Sequence, residues 1–415
     1  MRLPRSWGSY LIVTTLSAVQ GTQLSLVAPF LDGLGYPPSL IGGLVAVTAV
    51  VSLLSRLPAG LLYRSDTARR VQGAAITALA AFIALHPFAV APWAFLLVRV
   101  LSGLVYGVAM TINLARFVDE QPPGPVRARA MGYYASGIAV GYSIASLLVG
   151  YVVESWGYVA AFGAGAALVL AGVLGLLDPT TVVSQGPAGA TSSRAPAARA
   201  GAQPPASSLS AGGRSAEPAP GPGFRALLRA PALLVLALEA LLLNAQWSFW
   251  NAWLPLYGLA MGISLAEVGV LRTVYGAFNA LGRPLSGAVV SRMGASRLAP
   301  ATLAAQYLLL MLLPALPAFG PLLVLFVVAG VLRAVGIVAN TVAVVESSEA
   351  RGLGRGPMAG LFSTVTDLGL LSGPALGGLV AQVVGPVQVF VYWPALMLVV
   401  YGAALGAQRL ASRAG

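Results

Sequence analysis

The sequence predicts an all-α integral membrane protein with twelve transmembrane helices in two six-helix bundles and both termini in the cytoplasm. The chain of 415 residues is 58% hydrophobic and only 9% charged, whereas soluble domains are about a quarter charged. Apolar stretches of about 20 residues, the length that spans a bilayer as a helix, recur along almost the whole chain. These stretches are continuous rather than alternating, which excludes a transmembrane β-barrel.

Hydropathy, together with Pro and Gly residues at segment boundaries, divides the chain into twelve apolar segments. The first segment is too long for the apolar region of a signal peptide and lacks a small-x-small cleavage site, so we interpret it as the first span. In chain order the predicted spans are 9–31, 39–63, 72–91, 93–117, 130–153, 158–177, 231–257, 265–290, 298–317, 320–345, 357–384 and 388–408.

The placement of arginine predicts the orientation of these spans. All 24 basic residues are arginine. With the N-terminus inside, 19 of the 24 arginines fall in cytoplasmic segments, and the remaining ones fall within spans rather than in outer loops. Positive charge on cytoplasmic loops sets membrane topology. The net charge of +12 therefore indicates contact with anionic lipid headgroups rather than with nucleic acid.

A compositional break divides the chain into an N-terminal bundle (1–177) and a C-terminal bundle (229–415), with residues 178–228 between them. Residues 184–223 are rich in Ala, Gly, Pro and Ser and contain no aromatic residue. Such a composition cannot bury enough apolar surface to offset chain entropy. We therefore predict a disordered cytoplasmic linker, with a hidden soluble domain as the alternative.

The two bundles align with each other at one constant offset along the chain, called the repeat shift, which takes Asn113 to Asn340. Both bundles begin inside, so the repeat is parallel and its axis is normal to the membrane. The other matched pairs are Gly35 with Gly262, Gly42 with Gly269, Arg56 with Arg283, Gly60 with Gly287, Gly103 with Gly330, the acid Asp119 with Glu346, Met131 with Met358 and Gly150 with Gly377.

Four local motifs accompany the repeat. RLPAGLLYRSDTARR (56–70) and GRPLSGAVVSRMGASR (282–297) follow the second and eighth spans, RVLSGLVYG (99–107) lies in the fourth, and GLLSGPALGG (369–378) lies in the eleventh. On these motifs the chain resembles the major facilitator superfamily over its whole length, and within it the bacterial efflux-type members.

The resemblance implies the fold of that family, in which spans 3, 6, 9 and 12 face lipid and the others surround a central cavity. It also implies alternating access and a gating or structural role for the characteristic positions of the motifs. These positions are Arg56, Gly60 and Asp66 in the first loop, Arg283 and Gly287 in its copy, and Gly373 and Pro374 in the eleventh span.

Two departures from the family pattern affect these expectations. Arg64 stands where the first loop of the family has an Asp that helps to close the cytoplasmic side, and Asp66 lies two residues later as a candidate substitute. Tyr142 stands where the fifth span of exporters has a Pro, which weakens the sequence mark of an exporter.

Polar residues in the spans predict a wet cavity, because an ionisable group in the bilayer costs about 2.5–3.5 kcal/mol and usually faces protein or water. In the seventh span, at about 100° per residue, Glu239, Gln246, Trp250, Trp253 and Tyr257 share one face, and a second stripe lies beside it. The candidates for the cavity wall are Gln20, Gln23, Arg99, Tyr106, Asn113, Asn244, Gln246, Trp247, Trp250, Asn251, Arg272, Tyr275, Asn279 and Asn340.

Other roles are open for some of these residues. Trp253 and its neighbours fit an aromatic belt at the outer interface. Gln20, Gln23, Asn279 and Asn340 fit interhelical hydrogen bonding equally well.

Glu239 and Asp367 are the candidates for proton coupling, with Arg333 as their expected partner. Counted at about 1.5 Å per residue from the cytoplasmic end, they lie roughly 12, 15 and 18 Å deep in the order Glu239, Asp367, Arg333. A buried carboxyl beside a cation suits a proton switch. The alternative is a static ion pair that holds spans 7, 10 and 11 together.

The sequence therefore predicts a monomeric, multi-pass secondary transporter of the cell (inner) membrane that needs no cofactor. It would export a small amphipathic or aromatic molecule, a drug or a metabolite, in exchange for protons. The alternatives are a proton symporter or facilitator that imports a nutrient, and a non-transporting sensor on a transporter fold.

Enzymatic activity is not expected. The chain has no lysine for a P-loop, no cysteine, and a single histidine, which excludes an H-E-x-x-H metalloprotease site. An intramembrane aspartyl dyad would need a second Asp matched to Asp367, and the other bundle has none. The expected partners are the small-molecule substrate, protons and the lipid bilayer.

Overall fold

The computed structural model describes residues 6–121, 125–178, 231–350 and 355–414. Within these ranges the chain consists of α-helices and short 3-10 helices and contains no β-strand. This confirms the all-α membrane class. Residues 179–228 of the predicted linker lie outside the described ranges, so the linker and the domain boundaries stay predictions.

The N-terminal half (residues 6–178) and the C-terminal half (residues 231–414) each contain five helices. The N-terminal helices are α1 (Trp7–Gly33), α2 (Pro38–Leu61), α3 (Ser65–Leu85), α4 (Pro92–Glu120) and α5 (Pro125–Ala171). The C-terminal helices are α6 (Pro231–Ala260), α7 (Leu265–Met293), α8 (Ala295–Met311), α9 (Phe319–Glu349) and α10 (Arg355–Ala414).

The longest helix of each half is broken by one glycine in the left-handed region. Gly157 has φ 76° within α5, and Gly385 has φ 85° within α10. Glycine adopts this conformation without a steric penalty because it lacks Cβ. Each of these helices therefore has two limbs, and helical segments occupy the positions of all twelve predicted spans. The number of membrane crossings and the side of the termini stay predictions.

Several helix boundaries differ from the predicted spans because hydropathy does not detect polar helical turns. Helix α3 begins at Ser65 rather than at residue 72, since Asp66 suits the first turn of a helix. Helix α5 begins at Pro125 rather than at residue 130, and proline is favoured at the first helical position.

Nine helical stretches among the described residues are long and apolar enough to cross a membrane. Helix α7 is not one of them, because it contains Glu267, Arg272, Arg283 and Arg292. Large apolar side chains are exposed on the surface of the protein, and Trp93 and Trp156 are each 73% exposed. Such side chains suit contact with lipid and its interface.

Hydrogen bonds inside the two halves recur at the repeat shift. The side-chain amide of Asn113 donates to Ser9 O at 3.1 Å, and that of Asn340 donates to Leu236 O at 3.1 Å. The same shift relates the two donors and the two acceptors, so the sequence match reflects one structural contact made twice.

The turns after α1 and α6 repeat as well. Gly35 (φ 78°) and Gly262 (φ 74°), which the repeat shift pairs, both adopt the left-handed conformation. These two turns lie at the same end of the molecule, which is called the closed end below.

The repeat shift does not hold to the end of the chain. The kink glycines Gly157 and Gly385 are one residue further apart than the earlier pairs, so the C-terminal half carries one additional residue between Asn340 and Gly385. The predicted match of Gly150 with Gly377 is therefore wrong. Gly378 is the counterpart of Gly150, because each packs against the first turn of a helix from the other half.

Two seams join the halves, one between α2 and α10 and one between α5 and α7. A Cβ built on Gly42 of α2 would lie 2.4 Å from Pro374 O, and one built on Gly269 of α7 would lie 2.3 Å from Ser146 O. The two contacts are counterparts in the repeat. Near the closed end, backbone therefore touches backbone at both seams.

The second seam opens towards the other end of the molecule, which is called the open end. The Thr273 hydroxyl of α7 donates to Ser143 O of α5 at 3.2 Å. One turn further on, a Cβ built on Gly276 of α7 would lie 3.1 Å from the Ser143 hydroxyl oxygen, whereas Val140 (49% exposed) and Leu281 (70% exposed) lie further towards the open end and are exposed. The second seam is thus closely packed near the closed end and exposed towards the open end.

Candidate functional site

A cluster of polar and aromatic side chains lies where the two halves meet below the closed end. It consists of Ser25 of α1, Tyr142 of α5, Trp247 and Asn251 of α6 and Arg272 of α7, and it is called the junction cluster. Both halves contribute to it, so any relative motion of the halves rearranges it.

Arg272 is the centre of the junction cluster and has no exposed surface. Its guanidinium donates to the Ser25 hydroxyl and to Leu24 O in the N-terminal half, and to Asn251 O in the C-terminal half. Leu24 and Asn251 are counterparts at the repeat shift. Arg272 therefore donates to the equivalent backbone carbonyl of each half and links the two halves.

A proline in α6 leaves one of these carbonyls without its helical partner. In an unbroken helix Asn251 O would accept from the amide of residue 255, but Pro255 has no N–H. A buried carbonyl without a partner is costly, and the Arg272 guanidinium supplies the missing donor.

An aromatic pair lies beside Arg272. The Tyr142 and Trp247 rings are 6.0 Å apart between centroids, and the Tyr142 hydroxyl donates to the Asn251 side chain. Tyr142 and Trp247 are both partly exposed, unlike Arg272. The junction cluster thus offers a cation at its closed end and aromatic surface towards the open end.

The two stripes of α6 face different surroundings. Trp247 and Asn251 lie beside Tyr142 of the other half, although Asn251 is fully buried, and the Asn244 side chain accepts from Arg333. The role of this stripe as a cavity wall stays a prediction. The Glu239 stripe faces the interior of the C-terminal half, because Gln246 and Trp250 are no more than 2% exposed and Trp250 packs edge-on against Tyr275 and Phe326. The interpretation of the Glu239 stripe as an open cavity wall is therefore corrected.

The aromatic belt proposed for Trp253 is also not observed. Trp253 is 1% exposed and Tyr257 is fully buried, with its hydroxyl donating to Leu313 O at 2.6 Å. Their rings fill the core of the C-terminal half because Gly377 leaves room for the Trp253 indole.

Glu239 is buried inside the C-terminal half. One carboxylate oxygen accepts a hydrogen bond from Tyr401 of α10 at 3.2 Å, while the other has no partner among the described residues. The expected pairing with Arg333 is not formed. The Arg333 guanidinium donates to Leu243 O and, at 3.1 Å, to the Asn244 side chain.

Asp367 is also paired differently from the prediction. Its carboxylate lies 3.6 Å from the Arg56 guanidinium of α2, across the first seam, rather than beside Arg333. Arg56 is 46% exposed and Asp367 18% exposed in their side chains. The two candidate acids are thus separate features, one inside the C-terminal half and one between the halves.

Arg99 and Gln23 bind each other within the N-terminal half. The Arg99 guanidinium donates to the Gln23 side chain at 2.7 Å and to Leu44 O and Val45 O of α2. These bonds tie α4 to α1 and α2. Gln20, one turn before Gln23, is exposed.

The remaining cavity candidates lie inside one half or at its edge. Asn113 donates to Ser9 O and Tyr134, Asn340 donates to Leu236 O, and Tyr106 is 6% exposed. Asn279 is partly exposed on α7, and its side-chain oxygen is buried without a partner among the described residues.

The loop after α2 is held to its own half. The Tyr63 hydroxyl donates to the Asp119 carboxylate at 2.8 Å, and burial together with this carboxylate raises the pKa of Tyr63. Asp66 pairs with Arg64 at 3.7 Å, and both are well exposed. The proposed role of Asp66 as a latch stays a prediction.

The gating glycines fall into two groups. Gly60 and Gly287 have open space around them, with no backbone atom of another helix near a Cβ built there. Gly373 packs directly on α6, where a Cβ would lie 2.3 Å from Ala245 O, and Pro374 O touches Gly42 of the other half. The Gly373-Pro374 motif is therefore a packing site at the first seam.

Sequence reasoning missed a pair of contacts that fasten the closed end. At the first seam the Gln382 side chain of α10 accepts from Ser39 N of α2 at 3.3 Å, and at the second the Glu154 carboxylate of α5 accepts from Ala266 N of α7 at 3.0 Å. Each acceptor binds a free amide at a helix N-terminus. The shift that takes Gly157 to Gly385 also takes Glu154 to Gln382 and would have revealed the pair.

A groove of about 660 Å³ lies outside the junction, between α2, α3 and α4. Its walls are apolar side chains such as Leu54, Val71 and Val108, with Arg64 at one edge. It offers few groups that would select a solute, so the junction cluster is the better candidate for the functional site.

Comparison with known proteins agrees with this architecture. The family model described as Major Facilitator Superfamily matches residues 9–352 and 260–408. No curated protein sequence matches the chain. Among solved structures, the nucleoside transporter NupG is similar with a TM-score of 0.71 and 15% identity, over 97% of this chain and 99% of that chain.

A bacterial homologue of the human lysosomal transporter Spinster is similar to the same degree. Its inward-facing, unoccupied structure has a TM-score of 0.71 and 16% identity, over 98% of this chain and 96% of that chain. Its inward-facing, occupied structure also has a TM-score of 0.71, over 100% of this chain and 98% of that chain. At such identities the likeness shows a shared fold.

Proposed function

The chain belongs to the Major Facilitator Superfamily and is a transporter rather than an enzyme, and we propose that it exports a small amphipathic or aromatic molecule in exchange for protons. It would act as a monomer in the bacterial inner membrane by alternating access between the two halves. The observation that carries this proposal is the pair of seams related by the internal repeat, both packed backbone against backbone near the closed end, with the second seam exposed towards the open end.

The seams supply the two-state element that alternating access needs. Gly42 with Pro374 and Gly269 with Ser146 make the same backbone contact at both seams, so one rocking motion can open both together. The positive-inside distribution of arginine supports an orientation with the closed end outside. With that orientation, the exposure of the second seam towards the open end supports an inward-facing arrangement.

Support for a hydrophobic or aromatic substrate comes from the junction cluster. Tyr142 and Trp247 present aromatic surface that is partly exposed towards the open end. Aromatic side chains bind flat apolar groups at low entropic cost because they have only two side-chain torsions.

Support for proton coupling comes from Glu239. It is 1% exposed, and only one of its carboxylate oxygens has a partner among the described residues, which is Tyr401. An ionisable group buried at membrane depth is a functional candidate by default, because its burial is costly. Asp367 remains a second candidate through its pair with Arg56.

Distance measurements between spin labels test the rocking motion without knowledge of the substrate. The chain has no cysteine, so introduced cysteines are labelled cleanly. Trp156→Cys with Leu259→Cys reports across the closed end, and Leu62→Cys with Met293→Cys reports across the open end. For each label pair we expect a short-distance and a long-distance population. Conditions that increase the short-distance population at one end of the molecule should decrease it at the other end.

The control pair is Leu62→Cys with Val126→Cys, which lies within the N-terminal half and should give one population. Titration of pH should shift the two populations, and Glu239→Gln should abolish this shift because Gln cannot exchange a proton. Asp367→Asn tests the second carboxyl in the same way. A single distance at each end at every pH would refute the proposal.

Flux in vesicles then separates export from the alternatives. Compounds that shift the distances are loaded into proteoliposomes with an imposed pH gradient. Exchange of compound for protons supports export, movement of both in the same direction indicates a symporter, and binding without flux indicates a sensor.

A further inference from the structure

Three arginines are buried in the membrane-spanning part of the protein and have no carboxylate partner among the described residues. Arg99, Arg272 and Arg333 are between 0 and 4% exposed. In the described part of the chain their hydrogen-bond acceptors are backbone carbonyls, a hydroxyl and side-chain amides. All three positive charges are thus solvated only by neutral groups.

The acidic residues in the described part of the chain do not neutralise these charges. Glu239 binds Tyr401 rather than an arginine, and Asp367 is paired with Arg56. A buried ion without a counter-charge costs several kcal/mol even when its hydrogen bonds are satisfied. A chain that retains three such ions can recover this cost if a counter-charge enters during its working cycle.

Arg272 is the best placed of the three to meet such a charge. It is the one on the seam, and its Nε is buried with no acceptor among the described residues. Its other donors bind uncharged oxygens of both halves, which a carboxylate or phosphate would replace with stronger, charge-assisted bonds.

Resting on the proposed function, we infer that the transported molecule is an aromatic organic anion whose charged group binds Arg272. The aromatic body then lies against Tyr142 and Trp247, on the side of Arg272 that faces the open end. Binding there would compete with the bridge from Arg272 to Leu24 O and Asn251 O. The anion would thereby loosen the contact that holds the halves together at the junction.

Probes of one shape and different charge test the inference. The purified protein is titrated with 2-naphthoate, 2-naphthyl phosphate and 2-naphthalenesulfonate, and with the neutral 2-naphthamide and the cationic 2-naphthylmethylamine. The readouts are direct binding and the two spin-label distances. We expect at least one anion to bind ten-fold or more tightly than the amide and the amine.

Variants locate the charged group. Arg272→Gln should remove the preference for the anion, and Arg272→Lys should retain part of it, because lysine keeps the charge but not the planar fork. Arg297→Gln, an exposed arginine at the start of α8, is the matched control and should leave binding unchanged.

The comparison of probes on the wild-type protein decides the inference even if Arg272→Gln does not fold. Preference for the amide or amine, or binding by none of the probes, would overturn it. The same holds if a folded Arg272→Gln variant keeps the full anion preference. If the closed-end and open-end distances are anticorrelated in any of these cases, the alternating-access proposal is retained although the inference about the anion is rejected.

Discussion

At the scale of single residues, a buried asparagine occupies the same repeat position in both halves, but its hydrogen-bond partners differ between the halves. Asn113 donates to two acceptors, Ser9 O and the Tyr134 hydroxyl, whereas Asn340 donates to Leu236 O. Interhelical hydrogen bonds in membrane proteins average about 0.6 kcal/mol, with a maximum near 1.7 kcal/mol. The doubly bonded amide should therefore contribute more to stability than its counterpart.

We expect Asn113→Ala to lower the free energy of unfolding by about 1–2 kcal/mol and Asn340→Ala by about 0.6 kcal/mol. Thermal unfolding in detergent measures the order of the two effects. Tyr134→Phe removes only the hydroxyl, so a double-mutant cycle with Asn113→Ala isolates that bond. Equal losses at both asparagines would contradict this assignment.

The residue scale also shows where sequence reasoning fails. The sequence predicts that Arg272 lies in a span. Its role as a bridge depends on two further features, because Pro255 leaves Asn251 O without a helical donor and Leu24 O of the other half lies within hydrogen-bond distance. The pairing of Glu239 or Asp367 with Arg333 was wrong because depth along a helix does not determine which neighbouring helix a side chain faces.

At the scale of helices, the glycines of α2 and α7 allow close approach between the halves. Gly42 touches Pro374 O, whereas its neighbour Gly43 has nothing within 4 Å of a Cβ built there. The two positions share a helix and therefore differ in contact rather than in helix propensity. They form a matched pair for testing closure.

We expect Gly42→Ala to disfavour the closed end, because overpacking against rigid backbone costs about 1–3 kcal/mol. A cost of about 1.4 kcal/mol would lower the closed population tenfold relative to the open one. The Trp156/Leu259 label pair measures this shift. Gly43→Ala should leave the distances unchanged and slightly raise stability, and an equal opening in both variants would exclude contact as the cause.

The helix N-termini at the closed end give a second test at this scale. Glu154 and Gln382 accept from equivalent amides although one is an acid and the other an amide. Glu154→Gln should therefore preserve closure, and Glu154→Ala should weaken it by about 0.5–1.5 kcal/mol through the lost hydrogen bond. The same label pair reads the outcome, and loss of closure in Glu154→Gln would show that the charge is required.

At the scale of the whole molecule, the fold was predictable because it rests on long periodic features. Apolar length, the arginine bias and the repeat are properties of many residues, so a misplaced boundary such as that of α3 did not alter them. The seams were less accessible. Gly42 and Gly269 were matched in the sequence, but only three-dimensional packing shows that each meets a carbonyl of the opposite half.

The repeat is broken in one respect that affects the open end. Arg56 pairs with Asp367 across the first seam, but its counterpart Arg283 forms no ion pair in the described part of the chain. The shift that takes Gly157 to Gly385 relates Asp367 to Ala139, an exposed residue of α5. The second seam thus has the cation of the pair without the acid.

Installing the missing acid should stabilise closure of the open end. We expect Ala139→Asp to pair with Arg283 when the halves approach, and a partly exposed ion pair contributes about 0.2–1 kcal/mol. The Leu62/Met293 label pair should show a larger population at the short distance, increased by up to about fivefold. This increase should be smaller at about 1 M salt, because salt screens the attraction between the two charges. Ala135→Asp, one turn away on the same helix, is the control. An equal response to both variants, or a response that salt does not reduce, would rule out a specific pair with Arg283.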